Sequence, residues 1–182
     1  MNVQTKTTKI VLAGLMAALT CIATMLIRIP TIKGYIHIGD CMVIASGILL
    51  GPVAGALAAG IGSMLADLLG GYYVFSIATF VIKFAAAFAA GVVFKAASKV
   101  LKKYTIPLTA LSGLFAGIIV VAGYFVFEIF YGGMAYAVTE ILPNCIQGLA
   151  GMILSALLVP ILLQVPVIRD NRLSLEATEK NA

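Results

Sequence analysis

The stretch CMVIASGILLGPVAGALAAGIGSMLADLL, residues 41–69, holds a single charged side chain, Asp67. A membrane-crossing helix needs about 20 apolar residues, so the stretch is too long for one straight span. It reads either as one long tilted helix or as two helices joined at Gly51-Pro52. Proline removes a backbone donor and drives its predecessor out of the helical region. That favours a tight turn at Gly51-Pro52 with a helix on each side. The choice sets the number of spans, and with it the side of the membrane on which each later segment falls.

The apolar character continues in both directions. The apolar stretches cover roughly 10–28, 39–51, 52–70, 74–94, 107–131 and 139–165. Apolar residues make up 62% of the 182 positions and charged residues 10%, and the mean hydropathy is +1.12. Soluble domains run near about 45–50% apolar and about 25% charged. A soluble fold of this size cannot hide so much apolar surface. A free cytosolic enzyme, a nucleic-acid reader and a disordered chain are excluded, which leaves an integral membrane protein.

Charge placement decides between five spans and six. With six, one side receives Lys6, Lys9, Lys95, Lys99, Lys102, Lys103, Arg169 and Arg172, and the other only Arg28 and Lys33. With five, the lysines at 95–103 fall on the outer side. The positive-inside rule favours six transmembrane helices with both termini cytoplasmic. The fold class is then an all-α membrane bundle over residues 1–168. Residues 169–182 are expected to be a short polar cytoplasmic tail with a frayed end. The second span is short, about 20 Å as a helix, and should begin or end inside protein. Lys6 and Lys9 before an apolar run suggest a signal peptide, but no A-x-A site follows, so the run is expected to stay as the first helix.

Gly47, Gly51, Gly55 and Ala59 recur at four-residue spacing, continued by Gly62, Ala66 and Gly70. Such spacing lets helix backbones approach closely in lipid. Ala13 with Ala17, and Gly14 with Ala18, form two further pairs on the first helix. Each face could pack inside the bundle or meet another protein. Cys21, Cys41 and Cys145 are far apart in apolar runs and read as small core residues.

Charges inside spans are costly and need a partner or a purpose. They are Asp40, Asp67, Lys83, Glu128 and Glu140, all toward the outer half. Lys83 is either an ion-pair partner of Asp67 or Asp40, a snorkelling side chain, or a ligand contact. Glu140, Asn144 and Gln147 fall at i, i+4 and i+7 and share a helical face. They form helix-helix hydrogen bonds or a substrate-facing stripe near Glu128. Tyr35, Tyr72, Tyr73, Tyr124, Tyr131 and Tyr136 all sit at the outer side, with only Tyr104 inside. They form an interfacial belt or a platform on which a flat aromatic ligand stacks. No phosphate-binding G-x-x-x-x-G-K-[ST] or metal-binding H-E-x-x-H motif occurs, and His37, the one histidine, lies in a loop. The chain is therefore expected to have no catalytic residues, no metal and no cofactor, and not to hydrolyse ATP itself.

The runs Ile36-His37-Ile38-Gly39-Asp40 and Gly47-Ile48-Leu49-Leu50-Gly51-Pro52-Val53-Ala54-Gly55-Ala56 resemble the substrate-capture (S) component of energy-coupling factor (ECF) transporters. So do Gly60-Ile61-Gly62-Ser63 with Ala66-Asp67, and Ala78-Thr79-Phe80-Val81-Ile82-Lys83. The nearest branch is the one of hydroxymethylpyrimidine, pyridoxine and riboflavin transporters, and the resemblance covers about residues 8–168. It implies six helices, vitamin capture at the outer face of a cell membrane, and docking onto a transmembrane coupling protein with two ATPases. The family's A-x-x-x-A interface motif maps onto Ala13 and Ala17. By position, its ligand region holds Tyr35, Lys83, Tyr124, Glu128, Asn144 and Gln147, with no tryptophan to stack a ligand. A self-sufficient proton-coupled transporter and a non-transporting assembly subunit are the alternatives.

Overall fold

The computed structural model describes residues 3–30, 35–100 and 105–180. Lys33, Lys102, Lys103 and Tyr104 lie outside the described residues. The chain runs α1 (Val3–Leu26), β1 (Arg28–Pro30), β2 (Tyr35–His37), α2 (Asp40–Leu50), α3 (Pro52–Gly70), α4 (Ser76–Ser98), α5 (Thr105–Gly132), α6 (Met134–Leu162) and α7 (Pro166–Lys180). Among the described residues, five helices are long and apolar enough to cross a membrane: α1, from Lys6, and α3 to α6. The fold is an all-α membrane bundle.

The stretch 41–69 is two helices. Gly51 takes φ 84° and ψ 167° between them, and Pro52 opens α3. A side chain is strained at that φ, and proline suits a first helical position because its missing N–H has no partner there anyway. With 11 residues, α2 is about 16 Å long. Every one of those residues is buried. A helix that is apolar all round has to be enclosed, and α2 touches α1, α3, α4, α5, α6 and α7. Glycine permits that crowding. A Cβ at Gly47 would strike the Ala87 carbonyl of α4, and one at Gly55 the Ser46 carbonyl of α2. Neither backbone could yield, so the small-residue spacing here is internal packing.

The start of α2 carries the polar hub of the fold. Lys83 Nζ of α4 lies 2.5 Å from Asp40 Oδ1, with the lysine wholly buried. Gln147 Nε2 of α6 donates to Asp40 Oδ2 at 3.1 Å, and the His37 backbone N–H donates to Gln147 Oε1 at 3.2 Å. One carboxylate thus ties together α2, α4, α6 and, through the glutamine, β2. Of the two acids expected as partners of Lys83, Asp40 holds it. Asp67 is engaged by the Tyr35 hydroxyl at 3.0 Å.

Two local features depart from expectation. The segment before α2 is a short antiparallel hairpin, with Arg28 opposite His37 and Pro30 opposite Tyr35. It closes one end of the bundle. At the other end, the expected frayed tail is helical across Pro166–Lys180. Ile168 and Asn171 are buried, and the Arg172 guanidinium lies 4.7 Å from the Phe94 ring centre. One face of α7 packs there against α1 and the short α2.

Breaking a buried pair leaves a bare charge in an apolar interior, at a cost of about 3–5 kcal/mol. Lys83→Met should therefore lower thermal stability sharply, read by circular dichroism in detergent. Adding Asp40→Asn should recover much of the loss, because neither charge then remains. A double variant no more stable than Lys83→Met would show that the pair is not what holds α2.

Candidate functional site

A polar cavity of about 70 Å³ opens at the hairpin end. Its walls come from α1 (Thr24), β2 (Tyr35, His37), α3 (Ser63, Asp67), the turn after α3 (Tyr72, Phe75), α4 (Thr79), α5 (Tyr124, Glu128) and α6 (Tyr136, Glu140, Asn144, Gln147). Helical periodicity arranges them. Ser63 and Asp67 are four apart on α3, and Glu140, Asn144 and Gln147 share a face of α6. A larger apolar hollow of about 500 Å³ lies between α5 and α6, around Gly117 and Gly148. No side chain in it makes a stronger hydrogen bond than the Cys145 thiol. A specific site needs a few convergent polar groups in an apolar setting, so the polar cavity is the candidate.

Its floor is the hub. Gln147 is locked by Asp40 and the His37 amide. The Lys83 ammonium sits below the Tyr124 ring, 5.3 Å from its centre, and the Tyr124 hydroxyl is 2.9 Å from Thr79 Oγ1. His37 Nδ1 accepts the Gly39 N–H at 3.1 Å. Burial lowers the His37 pKa to about 4, so the ring is neutral near pH 7. Burial, and then the neighbouring Asp67 charge, raise the Tyr35 pKa, which keeps its hydroxyl a donor to Asp67.

The roof is aromatic. Tyr35 packs on Tyr72 at 4.8 Å between ring centres. Arg28 lies over both rings, 4.5 Å from the Tyr35 centre and 5.9 Å from that of Tyr72. Its guanidinium also donates to the Ala66 carbonyl at 3.2 Å. Phe75 meets Tyr131 edge-on at 5.1 Å, and Tyr131 meets Tyr136 at 5.8 Å.

Tyr35, Tyr124, Glu128, Asn144 and Gln147 all line this cavity, and Lys83 does not. The lysine is spent on Asp40 and reaches the cavity only as a charge behind Tyr124. Thr24 and Phe75 also line it and were not picked out from the sequence, while Ser63 and Thr79, which line it too, stood there only in runs that carry the resemblance. The signal for two of them was there. Ser63 precedes Asp67 by four residues and Thr79 precedes Lys83 by four, each on a face already marked by a charge. On α1, Ala13 and Ala17 are half-buried and pack against the core, and α3 approaches the Ala17 carbonyl at Gly62. Gly14 and Ala18 are the exposed small residues, and nothing lies within 4 Å of a Cβ built on Gly14.

The sequence model of the ECF-type riboflavin transporter S component matches residues 4–164. A protein of Pyrococcus woesei, described as an uncharacterized protein in gap 3'region, is 35% identical over 135 residues. That match covers 73% of this chain and 86% of the relative. The match spans all but the last part of the helical bundle, and the chain belongs to the family of ECF-type riboflavin transporter S components.

Proposed function

We propose that this membrane subunit captures a single-ring vitamin or vitamin precursor in the hairpin-end cavity and passes it to an ATP-driven ECF module. The observation that carries the reading is the Asn144–Gln147 face of α6, presented to a cavity with an aromatic roof. An amide both donates and accepts, which suits ring nitrogens and hydroxyls, and tyrosine faces suit a flat ring. Size favours one ring. Benzene fills an engineered cavity of about 150 Å³, already more than the 70 Å³ here. A hydroxymethylpyrimidine or a pyridoxine asks less rearrangement of the walls than the three fused rings of riboflavin.

We take the bundle to cross the membrane six times, with α2 as the short second crossing and both termini cytoplasmic. Charge supports that orientation. Lys95 and Lys99 end α4, and Arg169 and Arg172 lie on α7. Arg28 stands at the opposite, cavity end, beside Gly70. ATP hydrolysis falls to two partner ATPases joined through a transmembrane coupling protein. The docking face proposed for that protein is the exposed strip of α1 through Gly14 and Ala18, with Ala13 and Ala17 at its margin. A proton-coupled carrier would instead need no ATPase, and uptake into vesicles with and without the module separates the two.

Three outcomes test this reading. Calorimetry on the purified chain should find one tight ligand among pyrimidine, pyridine and flavin vitamins. Asn144→Leu should weaken it roughly 5- to 150-fold, the worth of a lost hydrogen bond of about 1–3 kcal/mol, in a chain that still folds although Glu128 loses its Asn144 bond. Gln147→Leu should lower both affinity and stability, because it also strips Asp40. Equal affinity in wild type and Asn144→Leu would move the site elsewhere.

Gly14→Leu should cut uptake by the assembled transporter while the isolated chain binds ligand normally, since the substitution blocks close backbone approach far from the cavity. Normal assembly of this variant would place the docking face elsewhere.

For orientation, a cysteine at Lys99 in a cysteine-free background should resist impermeant thiol reagents outside intact cells, and one at Gly133 should react. Labelling at Lys99 would reverse the topology.

A further inference from the structure

Resting on the capture reading above, we infer that Ser63 of α3 is a ligand-contact residue whose hydroxyl binds a hydroxyl substituent of the captured molecule. The amide face of α6 serves the ring edge, and Ser63 adds a contact from another wall. Helix α3 packs on α1, α2 and α4, whereas α6 packs on α5, α2 and β2. The two therefore reach the cavity from different sides.

The observation that carries this is an unmade bond. A serine or threonine inside a helix commonly turns its hydroxyl back onto the carbonyl three or four residues earlier. Thr20, Thr24, Ser46, Thr109, Ser112 and Ser155 all do so. Ser63 does not. It is 1% exposed, it lines the cavity, and its Oγ has no hydrogen-bond partner. Among the described residues it is the one buried hydroxyl in that condition. Buried polar atoms are nearly always paired, and a bare one is penalised. Next to it, α1 and α3 stand at backbone contact, where a Cβ on Gly62 would strike the Ala17 carbonyl and Thr20. Room for a partner to Ser63 lies on the cavity side.

The neighbouring oxygens select a hydroxyl over a bare acceptor. Thr24 has spent its proton on the Thr20 carbonyl, and the Tyr35 hydroxyl has given its own to Asp67. Both keep lone pairs to offer. Ser63 still holds a proton to give. A ligand hydroxyl accepts from Ser63 and has a proton of its own for one of these oxygens. A carbonyl or ether oxygen answers Ser63 alone, and a methyl group answers nothing. All three side chains line one cavity of about 70 Å³, so a single substituent can meet more than one of them.

Ligands matched with and without hydroxyl groups test this by calorimetry. The pairs are pyridoxine with deoxypyridoxine, hydroxymethylpyrimidine with its methyl analogue, and riboflavin with lumiflavin. On the unaltered chain the hydroxylated member of at least one pair should bind roughly 10-fold tighter. Ser63→Ala should remove most of that preference by weakening the hydroxylated member. Ser63→Cys, similar in shape but a weak donor, should do the same. Neither should lower the unfolding temperature of the ligand-free chain, because no protein hydrogen bond is lost with the oxygen. A preference that survives both substitutions would overturn the inference, whatever the stability. So would an unaltered chain that binds both members of every pair equally. Either result leaves capture intact. If no member of any pair binds, the capture reading itself fails and this one with it.

Discussion

A lysine and an aspartate buried against each other, Lys83 and Asp40, set the terms for the rest of the bundle. Removing either charge from water costs several kcal/mol, and the pair recovers that only if its remaining lone pairs and protons are satisfied. Gln147 supplies one such bond to Asp40 and is itself fixed by the His37 amide. The start of α2, the first half of α4, the middle of α6 and the hairpin are thereby held in one register. Because the hub also forms the cavity floor, the polar groups of the site stand on side chains that are themselves fixed by hydrogen bonds and an ion pair.

Enclosure of α2 is the second consequence. In lipid there is no hydrophobic effect between helices, and close packing has to supply the association. Gly47 and Gly55 let α2 approach α4 and α3 at backbone contact, and α7 packs against it as well. The cavity end is built differently. Its roof is made of aromatic contacts and a two-stranded hairpin.

Much of this was legible in residue order. Apolar run lengths and the sparsity of charge determined a membrane bundle, and Gly51-Pro52 marked the break between α2 and α3. The stripe Glu140, Asn144, Gln147 and four of the tyrosines gathered at one end, Tyr35, Tyr72, Tyr124 and Tyr136, line the cavity, while Tyr73 and Tyr131 do not. These features are local. Each depends on spacing along one helix, or on the free energy of putting one residue type in lipid, and neither needs knowledge of a neighbour.

What sequence left open was always a matter of which neighbour. Lys83 had two acids within plausible reach, and the choice of Asp40 over Asp67 follows from how α2 and α3 pack around α4. Ala13 and Gly14 carry equivalent spacing signals, yet the rotation of α1 against α3 half-buries one and exposes the other. The hairpin and α7 are made of residues whose own preferences are weak. Arg28 is held by Tyr35 and Tyr72, and Arg172 by Phe94, and both arrangements exist only once distant helices have met. Pair identity, helix rotation and the folding of marginal segments are set by contacts between residues far apart in the chain, which is why residue order could propose them and only packing could choose.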